Sequence, residues 1–341
     1  MPEGHTIHRL AAALDELYGG QMLRASSPQG RFTDGASRLD GQVLLGSQAH
    51  GKHLFLPFGA RADMPLDDAS VTWLRIHLGL YGSWTFDGDR EFVAPHAIGA
   101  PRRRVGERGE HALKGGGGSA LSGLNGGAAD VVDPQEDHRE TGTSSHTGPA
   151  PDDWEPPEPR GAVRLRLLGQ HGVADLTGPA ACELLDAEGV AAVRRRLGPD
   201  PLRDDADVEA FVAKARSRRK SIGELLMDQS VISGAGNIYR AETLFRVGVS
   251  PFRAGNRVSE ERLRAIWEDL RPLMQYGVAT GFITTVDLDD VPEPLPPDDP
   301  EAGRWYVYHR TGRPCLRCGT PVVEREVAAR RLFWCPTCQA C

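Results

Sequence analysis

SIGELLMDQSVISGAGNIYRAETLFRVG, residues 221–248, is the stretch that decides the fold. Ser221 and Glu224 have the spacing of a capping box, so SIGELLMDQSVIS reads as a helix entered at Ser221. SGAGN, residues 233–237, is a glycine-rich turn, and IYRAETLFRVG reads as a second helix. The turn can present backbone N–H groups to a phosphate, aided by the helix N-terminus that follows it. A helix–turn–helix of this kind is common. Here, however, residues 214–253 carry eight basic side chains against three acidic ones, which tilts the reading toward nucleic acid. Upstream, DADVEAFVAKARSRR reads as a helix with Asp205 or Asp207 as cap. Downstream, SEERLRAIWEDLRPLMQYGVATG reads as another with Ser259 as N-cap. Residues 203–285 therefore form a helical unit.

An acidic, proline-rich loop over residues 286–303 separates this unit from a cysteine-bearing C-terminus, residues 304–341. Five of the six cysteines fall in the last 27 residues. Cys315-Leu-Arg-Cys318 and Cys335-Pro-Thr-Cys338 lie sixteen residues apart. That spacing suits four thiolates around one zinc ion (Zn2+), a closed set with no open position, hence a structural metal. The intervening VVEREVAARRLFW reads as a β-hairpin with Arg325, Arg330 and Arg331 near its tip. Cys341 is left as a free thiol, and Cys182, in a stretch that reads as a short helix over 179–187, as a buried apolar residue.

Toward the N-terminus, residues 4–18 place Ile7, Leu10, Ala11, Leu14 and Leu17 on one helical face. Residues 41–58 read as two strands joined by a turn at His50-Gly51-Lys52, and 71–86 as a strand that breaks near Gly79 and resumes. Residues 161–178 read as a returning hairpin, and LGPDPL, 197–202, closes the unit. Short strands with polar turns indicate an antiparallel sandwich or barrel. Residues 92–160, rich in Gly, Ser, Thr, Pro and acidic residues, read as a disordered insertion. The expected architecture is α+β: an N-terminal helix and antiparallel β-sandwich over 1–202, then the helical unit, the acidic loop and the zinc ribbon.

The net charge of -7 conceals a basic body. Residues 130–158 hold nine acidic residues against one arginine, and 287–301 hold seven acids and no base. Without these two segments, 39 basic residues face 31 acidic ones. No apolar run is long enough to span a bilayer, and the N-terminus has no signal-peptide pattern, so a cytoplasmic protein without membrane attachment is expected.

Met1-Pro2-Glu3 offers chemistry. A small second residue lets the initiator methionine be removed, leaving the Pro2 secondary amine beside the Glu3 carboxylate at the entrance of a helix. An amine can attack an electrophilic carbon to give an iminium, and a carboxylate can move the protons this needs. Lys52 occupies a hairpin turn. Leu80-Tyr81, if their loop protrudes, form a wedge able to fill the gap left by an extruded base.

MPEG, the GK of the hairpin, LYGxW, LGPDPL, LLMDQSVISGAGNIYRAE and CLRCGT…RLFWCPTCQ, in this order, resemble the formamidopyrimidine-DNA glycosylase/endonuclease VIII family. LYGxW is closer to the endonuclease VIII branch. The resemblance implies a bifunctional DNA glycosylase/AP lyase, a helix–two-turns–helix DNA-binding unit and a zinc finger. It implies that Pro2 attacks C1′ of the damaged nucleotide while Glu3 serves as general acid/base. Lys52 would contact phosphate and assist β-elimination; Arg330 would bind phosphate and support δ-elimination. Asn237 would bind phosphate, Arg196 would contact DNA, and Leu80 and Tyr81 would be the void-filling wedge. The implied partner is damaged or abasic double-stranded DNA, bound by a monomer. Two departures stand out. His5-Thr6 replace a Pro-Glu pair, removing a second carboxylate, and Gly79 stands where a glutamine can occur. These leave open an AP lyase with little glycosylase activity; a separate alternative is a non-catalytic binder of damaged DNA, against which the intact Pro2, Glu3, Lys52 and Arg330 argue.

Overall fold

The computed structural model describes residues 2–100 and 153–340. α1 (Gly4–Tyr18) buries Ile7, Leu10, Ala11 and Leu14 along one face, as their spacing dictates. There follow β1 (Met22–Ser26), α2 (Thr33–Leu39), β2 (Gln42–Leu44), β3 (Gln48–His50), β4 (His53–Gly59), β5 (Thr72–His77), β6 (Ser83–Gly88), β7 (Ala97–Gly99), β8 (Val163–Leu168), β9 (Gly172–Thr177) and β10 (Ala181–Leu185). Every pairing is antiparallel, in the order β10-β5-β4-β2-β1-β8-β9-β6-β7, with β3 on β4. β1 belongs to both halves: Met22 and Leu23 pair with β2, and Arg24 to Ser26 pair with β8. Leu54, Leu56, Leu74 and Ile76 from one half meet Trp84, Leu165, Leu167 and Leu176 from the other in one core, to which α1 contributes. This is the expected sandwich.

Three readings in the N-terminal unit change. Residues 41–58 form three strands rather than two, because β2 and β3 pair separately along β4. Residues 181–185 form strand β10 rather than a helix: pairing with β5 from Ala181↔His77 to Leu185↔Trp73 overrides the helical preference of Ala, Glu and Leu. Cys182 is consequently a half-buried strand residue packed against the core. The stretch read as a disordered insertion begins with structure. Phe92 and Ala94 pack against the core, Ile98 is buried in it, and β7 pairs with β6. On its far side the Trp154 indole N–H donates to Asp87 at 3.1 Å. Few apolar residues suffice to fix these ends. The remainder of that reading, residues 101–152, lies outside the described residues, as do Met1 and Cys341.

α3 (Ala187–Arg195) is capped by Asp186, and α4 (Val208–Arg216) by Asp207. α5 (Ile222–Leu225) opens with the capping box of Ser221 and Glu224 but lasts only one turn. Beyond it the Asp228 side chain accepts from Ser230 N, a local bond that competes with helix, and the chain makes successive turns instead. α6 (Asn237–Arg246) and α7 (Glu260–Thr280), the latter capped by Ser259, complete the unit.

β11 (Val323–Val327) and β12 (Arg330–Trp334) form the C-terminal hairpin. Its turn residues Ala328 and Ala329 both have left-handed backbones, with φ of 52° and 58°. Cys315, Phe333 and Cys335 share one core with Phe211, Leu244, Trp267 and Trp305. The acidic loop is strapped down by arginines. Arg310 and Asp299 form a buried pair at 2.8 Å, and Arg317 reaches Asp287 and Asp290 at 3.5 and 3.4 Å. The arginines that offset this segment's charge come from its neighbours in the fold.

Candidate active site

Pro2 and Glu3 are buried, and Glu3 is 1% exposed. Glu3 precedes α1 but makes no capping bond to it. Its carboxylate instead reaches the start of α6, where Oε2 accepts from Gly236 N and Oε1 from Ile238 N, each at 2.9 Å. The N-terminus of α6 supplies unpaired N–H groups and positive potential, which a carboxylate satisfies. Only glycine fits at 236, since a Cβ there would lie 2.3 Å from the Glu3 carboxyl carbon. Gly4 N donates to Gly234 O at 2.8 Å, and Arg9 donates to Val278 O and Ala279 O at the end of α7. The chain start is thus clamped between the glycine-rich turn and α7.

Lys52 sits in the β3–β4 turn, half-buried. Burial pushes its ammonium below the usual lysine range; Glu3 opposes this and Arg330 adds to it. Lys52 thus feels the charges of Glu3 and Arg330, although the three lie on the β3–β4 turn, at the head of α1 and at the start of β12. Arg240, from α6, also feels Glu3 and Arg330; burial pushes its guanidinium down to about 10. Its Nη2 donates to the Asn237 side-chain oxygen and to Arg331 O, the latter at 3.0 Å. Asn237 Nδ2 donates to the same Arg331 carbonyl at 3.0 Å. The first turn of α6 therefore grips the hairpin strand immediately beside Arg330.

Around Lys52 lies a group that the sequence reading passed over. His50, His53 and His77 occupy facing positions on β3, β4 and β5. Arg75 Nε and Nη2 donate to His53 Nδ1 at 3.2 and 3.1 Å, and the His53 and His77 rings are 4.9 Å apart. Burial, then Arg75, His77, His50 and Arg196, lower His53 to about 3, so its ring is neutral at physiological pH. The signal was present in the paired histidines of HGKH, which flank the lysine at the positions facing each other across the turn.

The remaining candidates stand apart. Arg196 is the exposed C-cap of α3, near enough to His53 to affect it. Leu80 and Tyr81 are 41% and 61% exposed on the β5–β6 loop.

The Sγ atoms of Cys315, Cys318, Cys335 and Cys338 lie within 4.8 Å of one another, with Cys315–Cys338 at 3.8 Å and Cys318–Cys335 at 3.5 Å. Four thiolates about 2.3 Å from a tetrahedral zinc stand about 3.8 Å apart, so the set fits one structural zinc. Among the described residues no helix is long and apolar enough to cross a membrane.

Comparison with known proteins agrees with this geometry. Residues 1–108 match the formamidopyrimidine-DNA glycosylase N-terminal domain, 197–288 the H2TH domain of that glycosylase, and 312–340 a zinc finger found in FPG and IleRS. Endonuclease 8 1 of Mycobacterium tuberculosis is 37% identical over 339 residues, covering 99% of this chain and 100% of that protein. A formamidopyrimidine-DNA glycosylase of Herpetosiphon aurantiacus is 34% identical over 157 residues, 46% of this chain and 56% of that protein. Among solved structures, Lactococcus lactis Fpg in complex with DNA containing an abasic site aligns with a TM-score of 0.62 at 18% identity, covering 99% of this chain and 100% of that one. MutM in complex with DNA containing carbocyclic 8-oxo-G aligns at 0.63 and 19%, covering 100% of each. At these identities the structures speak for the fold alone. The sequence relationship extends over the full chain, and the protein belongs to the formamidopyrimidine-DNA glycosylase/endonuclease VIII family of DNA glycosylases with AP lyase activity.

Proposed function

We propose that this chain excises oxidised bases, pyrimidines in preference, and then cuts the strand at the resulting site. Once Met1 is removed, the Pro2 amine attacks C1′ of the extruded nucleotide as the N-glycosidic bond breaks. The base leaves and an iminium joins Pro2 to the opened sugar. Glu3 moves the protons of base release and ring opening. Lys52 and Arg330 carry positive charge to the phosphates that depart in β- and δ-elimination, and Asn237, Arg196, Leu80 and Tyr81 hold the distorted duplex. Phosphate contacts supply much of the affinity, so binding weakens steeply with salt.

The observation that carries this reading is the N-terminus of α6, which holds Glu3 through Gly236 N and Ile238 N and grips the Arg331 carbonyl beside Arg330 through Asn237 and Arg240, with the turn that carries Lys52 packed against the adjoining Ser233. The pyrimidine preference is supported by the full-length relationship to an endonuclease 8, against partial coverage of a formamidopyrimidine-DNA glycosylase. Thr6 favours a second reading, an AP lyase with weak base release. It is buried, its hydroxyl lies 3.2 Å from His5 Nε2, and it offers no second carboxylate. Duplexes carrying an oxidised pyrimidine, 8-oxoguanine or an abasic site separate the readings. Release of the pyrimidine faster than the purine supports the first. Cleavage of abasic DNA alone supports the second.

A further inference from the structure

Asp200, in the LGPDPL segment, is buried with its side chain fully enclosed. All its bonds are to donors. Oδ2 accepts from His8 Nε2 at 2.7 Å and from Gly51 N at 2.7 Å, and Oδ1 accepts from Leu202 N at 3.0 Å. Burial opposes the charge, but the His8 bond and the two backbone N–H groups outweigh it and hold the carboxyl below its ordinary range.

The three partners are not equivalent. Gly51 precedes Lys52 and has φ of 58°; a Cβ there would meet Ser233 at 2.8 Å. Its N–H bond to Asp200 therefore fixes the turn that presents Lys52. His8 lies on α1, little more than one turn beyond Pro2 and Glu3. Ser233 N donates to Pro199 O at 3.0 Å and Ser233 Oγ to Gly198 O at 2.9 Å, which anchors the same segment to the glycine-rich turn. One carboxylate oxygen thus joins the helix that carries the nucleophile to the turn that carries the lysine.

We infer that Asp200 is a positioning residue that sets Lys52 against Pro2 for strand cleavage, and that His8 orients Asp200 for this task. The inference rests on the Schiff-base reading above. In β-elimination the iminium at C1′ acidifies C2′. The C2′ proton is lost to a base, its electron pair forms the C2′–C3′ double bond, and the C3′–O bond breaks with its pair leaving on the phosphate. Lys52 can favour that departure only if its ammonium faces the phosphate while Pro2 holds C1′. Glu3 has its own anchors in Gly236 and Ile238, so formation of the iminium does not depend on Asp200.

Asp200→Asn retains size but has one acceptor oxygen. In either amide orientation an NH2 faces Leu202 N–H or the His8 and Gly51 donors. With abasic DNA and borohydride, the ratio of reduced covalent adduct to cleaved strand is expected to rise at least tenfold in Asp200→Asn, because elimination slows while Schiff-base formation continues. His8→Ala shifts the ratio in the same direction by a smaller factor, and His8→Gln, whose Nε2 can donate to Asp200, restores it. Both products come from the same competent molecules, so partial unfolding leaves the ratio unchanged; should Asp200→Asn not fold, the His8 pair carries the test. An unchanged ratio in Asp200→Asn, or in His8→Ala, would overturn the inference, as would failure of His8→Gln to restore it. Absence of any adduct with the wild-type protein would instead remove the Schiff-base reading itself, and this inference with it.

Discussion

The carboxylate of Glu3 closes the first turn of a helix that begins 234 positions later, accepting from Ile238 N at 2.9 Å. The residue beside the chain's first amine is thereby fixed by the DNA-binding unit and not by its own helix. If Pro2 is the nucleophile, as proposed, the residue beside it is in place only when the sandwich and the helical unit are docked.

Glu3→Gln tests what this carboxylate does. The amide keeps the shape but places an NH2 against either Gly236 N–H or Ile238 N–H, and it cannot take up a proton. Base release from a duplex with an oxidised pyrimidine is expected to fall by about 10²–10⁴-fold. Adduct formation with a ready-made abasic site, part of which is already ring-opened, is expected to fall much less. Single-turnover assays on the two substrates check this, and equal losses on both would contradict it.

Arg330→Ala should alter the pH dependence as well as the rate. Burial and Arg330 both hold Lys52 below the usual lysine range. Removing Arg330 raises the lysine's pKa, so its ammonium survives to higher pH. The alkaline limb of the cleavage profile should move upward while DNA binding weakens. A limb that stays in place, or moves down, would show that Arg330 does not act on Lys52.

Glu242 is completely buried and accepts from Tyr306 N, Val307 N and Tyr308 N at 2.7, 2.9 and 2.8 Å, and from the Thr285 hydroxyl. It seats the segment leading into the zinc ribbon. Glu242→Gln turns one acceptor into a donor facing donors, and a loss of about 2–4 kcal/mol is expected. Thermal unfolding of the whole chain measures it; an unchanged Tm would contradict the account.

The hairpin tip makes the opposite prediction. Ala328 and Ala329 hold left-handed backbones that disfavour a Cβ by about 1–2 kcal/mol each. Ala329→Gly should stabilise the protein by about 0.5–1 kcal/mol, less whatever entropy glycine adds to the unfolded chain. A lower Tm would rule out strain at this turn.

Zinc removal should have consequences beyond the hairpin, because Cys315 and Cys335 belong to the core of the helical unit. A chelator that withdraws the metal is expected to release one zinc per chain, abolish DNA binding and lower Tm. Release of zinc with binding intact would separate the ribbon from recognition.

Much of this was legible in the sequence. The apolar spacing of residues 4–18 marks α1 at both ends, the CxxC pairs mark the thiolate cluster, and Ser221 with Glu224 marks the entry to α5. These are local patterns. What escaped is set by distant partners. β10 is a strand because β5 lies beside it. Glu3 caps α6 rather than α1; the turns after α5 are the exception, set by the local bond from Ser230 N to Asp228. The Asp200–His8 pair spans 192 positions, and no periodicity connects its members. The family resemblance pointed to Pro2, Lys52 and Arg330 individually; their supports, Arg240, Asp200 and the histidines around Lys52, needed the fold.

The central claim is that Pro2 is the nucleophile. Borohydride reduction with abasic DNA, followed by proteolysis and mass spectrometry of the adduct, addresses it most directly. The account predicts sugar covalently attached to the nitrogen of an N-terminal Pro2 peptide that lacks Met1, and no adduct when Met1 is retained or a tag blocks the amine. Attachment at Lys52, or an undiminished adduct with the amine blocked, would contradict it.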